Sequence, residues 1–394
     1  MERAETLLPP APSASLEPEV SVVIPCLNEE EAIEAVVLDA RMALEEAGLD
    51  GEVLVVDNGS EDRSAELAER AGAVVVYEPR RGYGSAYLAG LARARGRYVV
   101  MTDADGTYPL ETIGSFVEKL RGGADMVIGS RFKGTIQPGA MPWPNRYIGN
   151  PILTGMLNVF FRSGVSDAHC GLRALRRDVL PDLKLSATGM EFASEMVIKA
   201  GKRQLRVEEV PIEYRPRVGD SKLSRVSDAW RHVRFMLVHS PTFLFMVPGG
   251  LLTLIGLVGM VALAALWQLG DSWTGVSVAF AMLSIVGVGV VQLGLFSRTY
   301  AVIYLGERDD WLERGWRRFR LEHGITASGA LTVVGLAITV VSFFDGRKDP
   351  RLGVLGLALI AIALQGAFAS FFLSILGLSE HARLHRSDAG AGSP

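Results

Sequence analysis

The sequence predicts an α/β domain with a mostly parallel sheet, followed by four transmembrane helices. The first observation is the charge distribution: residues 242–394 hold 11 Lys and Arg and 10 Asp and Glu, out of 40 and 44 in the 394-residue chain. The second is that short apolar runs alternate with segments of helical periodicity from residue 20 onwards. A charged domain and an apolar membrane domain are therefore expected to meet near Pro241.

The composition excludes several classes of protein. Two cysteines, Cys26 and Cys170, are too few for a disulfide scaffold. The formal net charge of −4 is opposite to what phosphate neutralisation needs, so no nucleic-acid partner is expected. Long stretches without charged side chains exclude a fully soluble enzyme.

Both ends of the chain are expected to be disordered. Residues 1–19 carry acidic residues and four prolines without an apolar core, which is typical of a disordered lead-in and not of a signal peptide. A polar tail is expected at residues 380–394.

The alternation predicts strands and helices in turn over the first half of the chain. Runs rich in Val, Ile and Met predict strands at residues 20–24, 53–56, 73–77, 98–101 and 126–128. Apolar residues at helical spacing predict helices at 29–47, 63–71, 85–95 and 110–120. Strands separated by helices imply parallel pairing with right-handed crossovers.

Polar side chains follow four of these strands at their carboxyl ends. They include Asn28 and Glu29, Asp57, Asp103 and Asp105, and Arg131. Ligands of parallel sheets bind at this edge, so these residues mark the expected site. No G-x-G-x-x-G follows the first strand, which argues against a dinucleotide-binding domain, and Gly82-Tyr83-Gly84 is interpreted as a tight turn into a helix.

Asp103 and Asp105 are the strongest indication of a functional site in the sequence. Two carboxylates at i and i+2 directly after a buried strand can reach one divalent cation, and Mg²⁺ or Mn²⁺ is held in this way together with diphosphate oxygens. Asp57 at a neighbouring strand end supports a metal-nucleotide site. Its alternative role, capping a helix that starts near Asp62, is less favoured because Ser60 already offers a capping oxygen.

In order and spacing, these residues resemble family 2 glycosyltransferases of the GT-A fold, in particular polyprenyl-phosphate glycosyltransferases such as dolichyl-phosphate mannose synthase. The resemblance covers about residues 20–240. It is carried by SVVIPCLNEE (21–30), VVDNGS (55–60), DAD (103–105), GSR (129–131), DAHCGLR (167–173), VPI (210–212) and GDSK (219–222). It implies a Rossmann-like GT-A catalytic domain at residues 20–223.

The resemblance also implies roles for the matching positions. The pocket for base and ribose of a nucleotide sugar would include Pro25, Asn28, Glu29 and Asp57. Asp103 and Asp105 would hold Mg²⁺ or Mn²⁺ under the diphosphate, with Asp105 counted as catalytic. The acceptor phosphate would be held by Arg131, Arg146, Asn150 and Lys222, the last on a segment over the active site.

Several positions depart from the family pattern. Asn58 stands where many members have a second acid, Tyr83 where many have Lys, and Asn150 where a small hydroxyl is more usual. Residues 106–109 also differ from the common Leu-Gln pattern. These departures leave the identities of the nucleotide base and of the sugar undecided. They do not change the predicted class of reaction.

Asp167 has two interpretations that the sequence does not separate. It can steer the acceptor or act as a base, or it can form a structural ion pair with Arg173 or Arg176. For the neighbouring His169 and Cys170, a packing role is favoured.

Two helical segments are candidates for contact with the headgroup layer. The segment 148–161 places several large apolar residues on one side, and 228–238 mixes aromatic residues with arginines. For the first, an ordinary core-facing helix is equally well supported. The second belongs to a predicted juxtamembrane amphipathic helix at 224–242.

Four stretches without charged side chains are long enough to cross a bilayer, namely 243–269, 272–297, 324–344 and 352–379. They make up the predicted membrane domain, 243–379. Arginines before the first span, between the second and third, and after the fourth predict a cytoplasmic catalytic domain on a multi-pass plasma-membrane protein. The basic loop 345–351 disagrees with that orientation. Small residues such as Gly249 and Gly287 permit close helix packing and possible homo-oligomers.

The sequence therefore predicts inverting transfer of one hexose from a UDP- or GDP-sugar to a polyprenyl phosphate. The alternatives are a transferase acting on another lipid such as diacylglycerol, a processive polysaccharide synthase, and a lipid-sugar flippase. The chain lacks the Gln-x-x-Arg-Trp motif of processive enzymes, and spans without charges near their middle count against a flippase.

Overall fold

The computed structural model describes residues 17–219, 225–266, 273–305, 309, 311–312, 314, 321–344 and 350–390. The chain divides into two compact units, Met1–Met236 and Leu237–Pro394. Each unit has its own cluster of buried apolar side chains.

A seven-stranded sheet with strand order β3-β2-β1-β4-β6-β5-β7 forms the centre of the first unit. The strands are β1 Val20–Cys26, β2 Gly51–Asp57, β3 Val74–Tyr77, β4 Tyr98–Met101, β5 Met126–Ile136, β6 Arg173–Arg176 and β7 Val207–Tyr214. Neighbouring strands pair in parallel except where β6 meets β4 and β5. The predicted mostly parallel sheet is confirmed.

Eight helices of the first unit are described. They are α1 Ile33–Glu46, α2 Ser64–Arg70, α3 Tyr83–Arg93, α4 Ile113–Arg121, α5 Asn150–Phe161, α6 Leu180–Leu183, α7 Phe192–Lys202 and α8 Arg225–Val238. Helix α4 shows why they form, because its buried residues Ile113, Phe116, Val117 and Leu120 recur at helical spacing. A π-helical turn at Asn145–Gly149 leads directly into α5.

Strand β6 was not among the predicted strands. Its sequence, Arg-Ala-Leu-Arg, lacks the β-branched run of a buried strand, yet the Arg173 side chain is buried. The guanidinium of Arg173 donates hydrogen bonds to the carbonyl oxygens of Ala168, Cys170 and Ala193, at 2.7, 2.8 and 2.8 Å. These bonds offset the cost of burying a charge, which no local sequence pattern reveals.

The ends of the chain differ in part from expectation. Of the predicted lead-in, residues 1–16 lie outside the described residues, whereas Glu17 and Glu19 form ion pairs with Arg177 and Arg121. The last helix continues to Gly390 and so includes residues 380–390 of the predicted tail. Residues 379–385 include Glu, Ala, Leu and Arg, which favour helix.

The second unit contains four helices long and apolar enough to cross a membrane. Helix α9 (Val247–Ala265) is entered through a π-helical turn at Thr242–Met246 and is followed by α10 (Thr274–Leu305), α11 (Leu321–Phe344) and α12 (Pro350–Gly390). The four predicted spans are thus confirmed, with ends shifted by a few residues. Large apolar side chains such as Val333 and Phe344 are exposed on them, as expected of a surface that faces lipid.

Helix α10 extends past the predicted end of its span and so includes Arg298. The Arg298 guanidinium forms an ion pair with Asp309, with Nε 2.7 Å from Oδ2, and lies over the Trp311 ring. Pairing with both a carboxylate and an aromatic face is a common way to hold a cation near the end of a membrane helix.

Glycines allow α9 and α10 to pack closely within one chain. A Cβ atom on Gly249 would lie 2.8 Å from the Val291 nitrogen, and one on Gly256 2.5 Å from the Ser284 nitrogen. Gly249 and Gly287 therefore take part in intrachain helix packing, the contact for which small residues are selected in membranes.

Candidate active site

The candidate site lies at the carboxyl ends of the parallel strands, where the loops after β1, β2, β4 and β5 begin. The loops after β1 and β2 are tied together by Asn28, whose backbone is in the left-handed region at a φ of 51°. Its side-chain Oδ1 accepts the Glu61 N–H at 2.7 Å, and its own N–H donates to the Ser60 Oγ at 3.0 Å. Asparagine tolerates this backbone conformation better than most residues, which explains the choice of side chain.

Asp57 is buried at the end of β2 and holds the turn that follows. Its Oδ1 accepts the N–H of Ser60 at 3.2 Å. Neither residue caps α2, which begins at Ser64, so the expectation that Ser60 offers the capping oxygen is wrong. Ser60 is instead the acceptor for Asn28, and Asp62 bonds the Ser64 N–H at 2.9 Å.

Asn58 fixes the loop between β3 and α3, which explains one departure from the family pattern. Its amide donates to the carbonyl oxygens of Glu78 and Arg80, both at 2.9 Å, and its Oδ1 accepts the Gly82 N–H at 2.7 Å. An ionised aspartate has no donor for the two carbonyls, so an amide is needed here.

Gly82 makes the tight turn that the sequence predicted before α3. Its φ of 145° is unfavourable for other residues, and a Cβ there would collide with the carbonyl oxygen of Thr188. The turn places Tyr83 at the first position of α3, next to the acidic pair.

Both carboxylates of the acidic pair are held by neighbouring side chains. Oδ1 of Asp103 accepts the Tyr83 hydroxyl at 3.0 Å. Oδ1 of Asp105 accepts the N–H and hydroxyl of Thr107, at 3.1 and 2.7 Å. Burial, followed by the charge of Asp105, raises the pKa of Asp103 to about 7. Two carboxyl groups that repel one another in this way favour a cation between them.

Arg217 places a positive charge beside Asp105, and the sequence analysis did not predict it as a site residue. Its guanidinium forms ion pairs with Glu29 and with Asp105, where NH1 is 3.3 Å from Oδ2. The Nε of Arg217 is buried without a hydrogen-bond partner among the described residues. The sequence contains one indication of this role, which is that Arg217 lies two residues before the GDSK segment.

Arg131 and Asp167, predicted as separate site residues, form one buried ion pair. The Asp167 carboxylate accepts from Nε at 2.7 Å, from NH2 at 2.8 Å and from the Arg131 backbone N–H at 3.1 Å. Asp167 therefore pairs with neither Arg173 nor Arg176. A carboxylate engaged by three donors is poorly suited to act as a base.

The part of the Arg131 guanidinium that does not contact Asp167 faces Tyr214. Its guanidinium carbon lies 5.1 Å from the centre of the Tyr214 ring, and its charge acts on Asp103. The bonds to Asp167 use Nε and NH2, and Tyr214 is a further hydrogen-bond partner of the Arg131 side chain. A planar guanidinium has five N–H donors, so these contacts do not use all of them.

For the remaining predicted site residues, the structure describes fewer polar contacts. Arg146 lies over the Tyr147 ring at 5.4 Å, in the π-helical turn before α5, and the amide of Asn150 contacts the Met141 sulfur at 3.5 Å. Half-buried Pro25 lies in β1. Lys222 lies outside the described residues.

The donor set fits a hard divalent cation held in part by its substrate. Among the described residues, no group of three or more His, Cys, Asp and Glu side chains could enclose a metal. Asp103 and Asp105 supply two carboxylates, which suits Mg²⁺ or Mn²⁺ when diphosphate oxygens complete the shell.

The two thiols near the site are inert. Burial raises the pKa of both Cys26 and Cys170 to about 12. A thiol that stays protonated at neutral pH is a poor nucleophile, so neither residue supports covalent catalysis.

A mostly parallel sheet with an acidic pair and arginines at the carboxyl ends of its strands fits the transferase class that the sequence predicts. The model of the family "Glycosyl transferase family 2" matches residues 21–184, and that of the "Glycosyltransferase family 2 C-terminal transmembrane region" matches residues 295–377. The chain is 39% identical over 374 residues to the low-salt glycan biosynthesis hexosyltransferase Agl6 of Haloferax volcanii, covering 92% of this chain and 90% of that protein. The chain belongs to glycosyltransferase family 2.

Two further similarities each cover somewhat more than half of the chain. The dolichyl-phosphate hexose transferase of Haloferax volcanii is 36% identical over 208 residues, covering 52% of this chain and 86% of that one. Glucosyl-3-phosphoglycerate synthase from Mycobacterium tuberculosis, solved with Mg²⁺ and UDP, is 24% identical with a TM-score of 0.46, covering 57% of this chain and 79% of that one. The family models and the relative matched over 92% of this chain confirm the expected family.

Proposed function

We propose that this membrane-anchored glycosyltransferase moves one hexose from a UDP- or GDP-sugar to a polyprenyl phosphate, with inversion at the anomeric carbon. The observation that carries the proposal is that one sheet edge holds both an acidic pair suited to a diphosphate-bound metal and a buried arginine suited to a second phosphate. Family membership and the four apolar helices support a lipid acceptor.

The donor half of the site would be formed by the loops after β1, β2 and β4. Asn28, Glu29 and Asp57 lie where a base and ribose would bind. Asp103 and Asp105 would hold Mg²⁺ or Mn²⁺, which would neutralise charge on the leaving diphosphate. Arg217, paired with Glu29 and Asp105 in this structure, is placed to transfer its hydrogen bonds to diphosphate oxygens.

The acceptor half would be formed by Arg131 and Arg146. A lipid monophosphate is mostly dianionic at neutral pH, because its second pKa is about 6, so it needs charge neutralisation more than a base. Asp167 fixes the Arg131 guanidinium in one orientation, so we assign Asp167 a positioning role. Asn150 and Lys222 are further candidates for contact with the acceptor phosphate.

The transfer is a single displacement. A phosphate oxygen of the lipid forms a bond to the anomeric carbon while the bond from that carbon to the nucleoside diphosphate breaks. The electron pair of the broken bond leaves with the diphosphate. Because nucleophile and leaving group lie on opposite faces of the sugar, the configuration is inverted.

The direct test is a transfer assay with the full-length protein in detergent. Purified protein is incubated with polyprenyl phosphate, Mg²⁺ or Mn²⁺ and a panel of nucleotide sugars, and lipid products are analysed by mass spectrometry. We expect one lipid-linked hexose from one or two donors, lost on chelation. Absence of any such product from every donor would refute the proposal.

A matched pair of variants tests the acidic pair. Asp105→Asn should lower turnover by at least about 100-fold, as loss of a group that stabilises developing charge does. Asp50→Asn alters an exposed carboxyl before β2, at the far end of the sheet, and should leave turnover unchanged. Equal activity of the two variants would remove Asp105 from the site.

A further inference from the structure

A cluster of two imidazoles and a hydroxyl lies next to the acceptor half of the site and has no part in the transfer described. Ser194 of α7 stands between His169, in the loop after Asp167, and His232 of α8. The Ser194 Oγ is 3.1 Å from Nε2 of His169 and 2.8 Å from Nδ1 of His232. The two imidazole rings meet edge to face with centroids 4.7 Å apart. We call these three side chains the histidine latch.

The hydrogen bonds of the latch require at least one neutral imidazole. Ser194 is fully buried and its hydroxyl donates a single proton, so one ring nitrogen must accept that proton while the other donates. If both rings were protonated, both nitrogens would donate and the serine proton would have no acceptor. The second ring nitrogen of His169, Nδ1, is buried without a partner among the described residues, so a proton there would also be unsatisfied.

Burial and the surrounding charges favour the neutral form of His169. Burial, then the charges of His232, Arg173 and Arg131, lower the pKa of His169 well below 6.5. The nearby carboxylates are already engaged, since Asp167 pairs with Arg131 and Glu195 of α7 pairs with Lys199.

The latch connects two functional parts of the chain. His169 follows Asp167 by two residues, and Arg173 ties the intervening backbone to α7 through the carbonyls of Ala168 and Ala193. Helix α8 packs on the core of the first unit through Met236, and the first membrane span begins only four residues after α8 ends.

We propose that Ser194 is a positioning residue that, through His169 and His232, fixes α8 to the Asp167 loop and thereby sets the orientation of Arg131 toward the acceptor phosphate. The latch opens when both imidazoles are protonated, which weakens acceptor binding at acidic pH. This inference rests on the proposed function for its effect on the acceptor, but the latch itself is testable without turnover.

The kinetic test compares acceptor and donor constants of the full-length enzyme. Ser194→Ala should raise the KM for polyprenyl phosphate about five- to tenfold, as expected for loss of one buried hydrogen-bond network, while the KM for the nucleotide sugar is unchanged. Ser194→Thr keeps the hydroxyl and should restore acceptor binding. As a control, Ser21→Ala removes a buried hydroxyl at the amino end of β1 and should lower Tm without changing either KM.

The pH profile separates a latch from a merely structural cluster. Because the folded pKa of His169 lies well below 6.5, the latch is complete above pH 6.5 and is lost progressively as pH falls from there through that lowered pKa. The wild-type acceptor KM should therefore rise below pH 6.5. His232→Asn places a permanently neutral amide near Nδ1, and its acceptor KM should be nearly independent of pH.

Hydrogen exchange of the wild-type protein and of Ser194→Ala provides a readout that needs no substrate. Ser194→Ala, and the wild type at pH 5.5 after correction for intrinsic rates, should show faster exchange in α8 and in residues 166–171. Unchanged exchange in both segments would overturn the latch, whatever the activity. Absence of transfer by the wild type with altered exchange would instead refute only the proposed function.

Discussion

At the scale of single residues, Asp167 shows how strongly a buried charge depends on its partner. The Asp167 carboxylate is fully buried against Arg131, whose side chain is only 7% exposed. Asp167→Ala leaves the guanidinium buried and unpaired, so we expect the free energy of unfolding to fall by about 3–5 kcal/mol. Thermal and denaturant unfolding of the full chain measure the change.

An exposed ion pair is the control for that experiment. Glu66 and Arg70 pair across one turn of α2, with side chains 50% and 65% exposed. Glu66→Ala should cost no more than about 0.5 kcal/mol, because water screens such pairs. Comparable losses in the two variants would mean that burial does not control the Asp167 interaction.

The sequence predicted several residues of the site, but it did not predict which of them form ion pairs with one another. Asp103 and Asp105 were predicted from their place after a buried strand, and the structure holds one oxygen of Asp103 and both oxygens of Asp105 in place. Pairing between Arg131 and Asp167 spans 36 residues, and that of Arg217 with Glu29 spans 188. Such contacts depend on the folded sheet, which local patterns do not encode.

At the scale of elements, α5 and the turn before it expose an apolar face beside Arg146. Its members are Trp143, Tyr147, Ile148, Ile152 and Val159, each at least 46% exposed. Aromatic rings and a cation on one side are typical of a helix that lies in the headgroup layer. The interfacial interpretation of this helix is therefore favoured over the core-facing one.

Ile152→Asp tests the role of this face. An added charge should weaken contact with the bilayer, so the KM for polyprenyl phosphate in liposomes should rise several-fold while the donor KM and Tm stay constant. Ser115→Asp adds the same charge to an exposed position of α4 and should change neither constant. An unchanged acceptor KM for Ile152→Asp would exclude a role for this face in acceptor delivery.

The sequence did not predict every element, and for β6 the physical cause is visible in the structure. Strands with continuous apolar runs, such as β4, and helices with regular spacing, such as α4, were predicted within a few residues. Strand β6 was missed because its burial depends on carbonyl groups from two other segments that satisfy Arg173. Tertiary hydrogen bonds override local propensity at this strand.

At the scale of the whole molecule, the arginine distribution predicts that the catalytic unit faces the cytoplasm. The native thiols do not interfere with a labelling test, since both are buried with pKa values of about 12. In intact cells, a membrane-impermeant maleimide should label Asp271→Cys, in the loop between the first two spans, but label Asp50→Cys only after permeabilisation. The unaltered chain, which should stay unlabelled, is the control, and the reverse pattern would invert the orientation.

The position of β6 also has a consequence for biosynthesis. Strands β1 to β4 form one side of the sheet from the first 101 residues, and this part can assemble as soon as it leaves the ribosome. The other side of the sheet can join it only after β6 has been synthesised, because β5 is connected to β4 through β6. A ribosome stalled between β5 and β6 should therefore display a nascent chain with a protease-resistant amino-terminal half and an unprotected acceptor half.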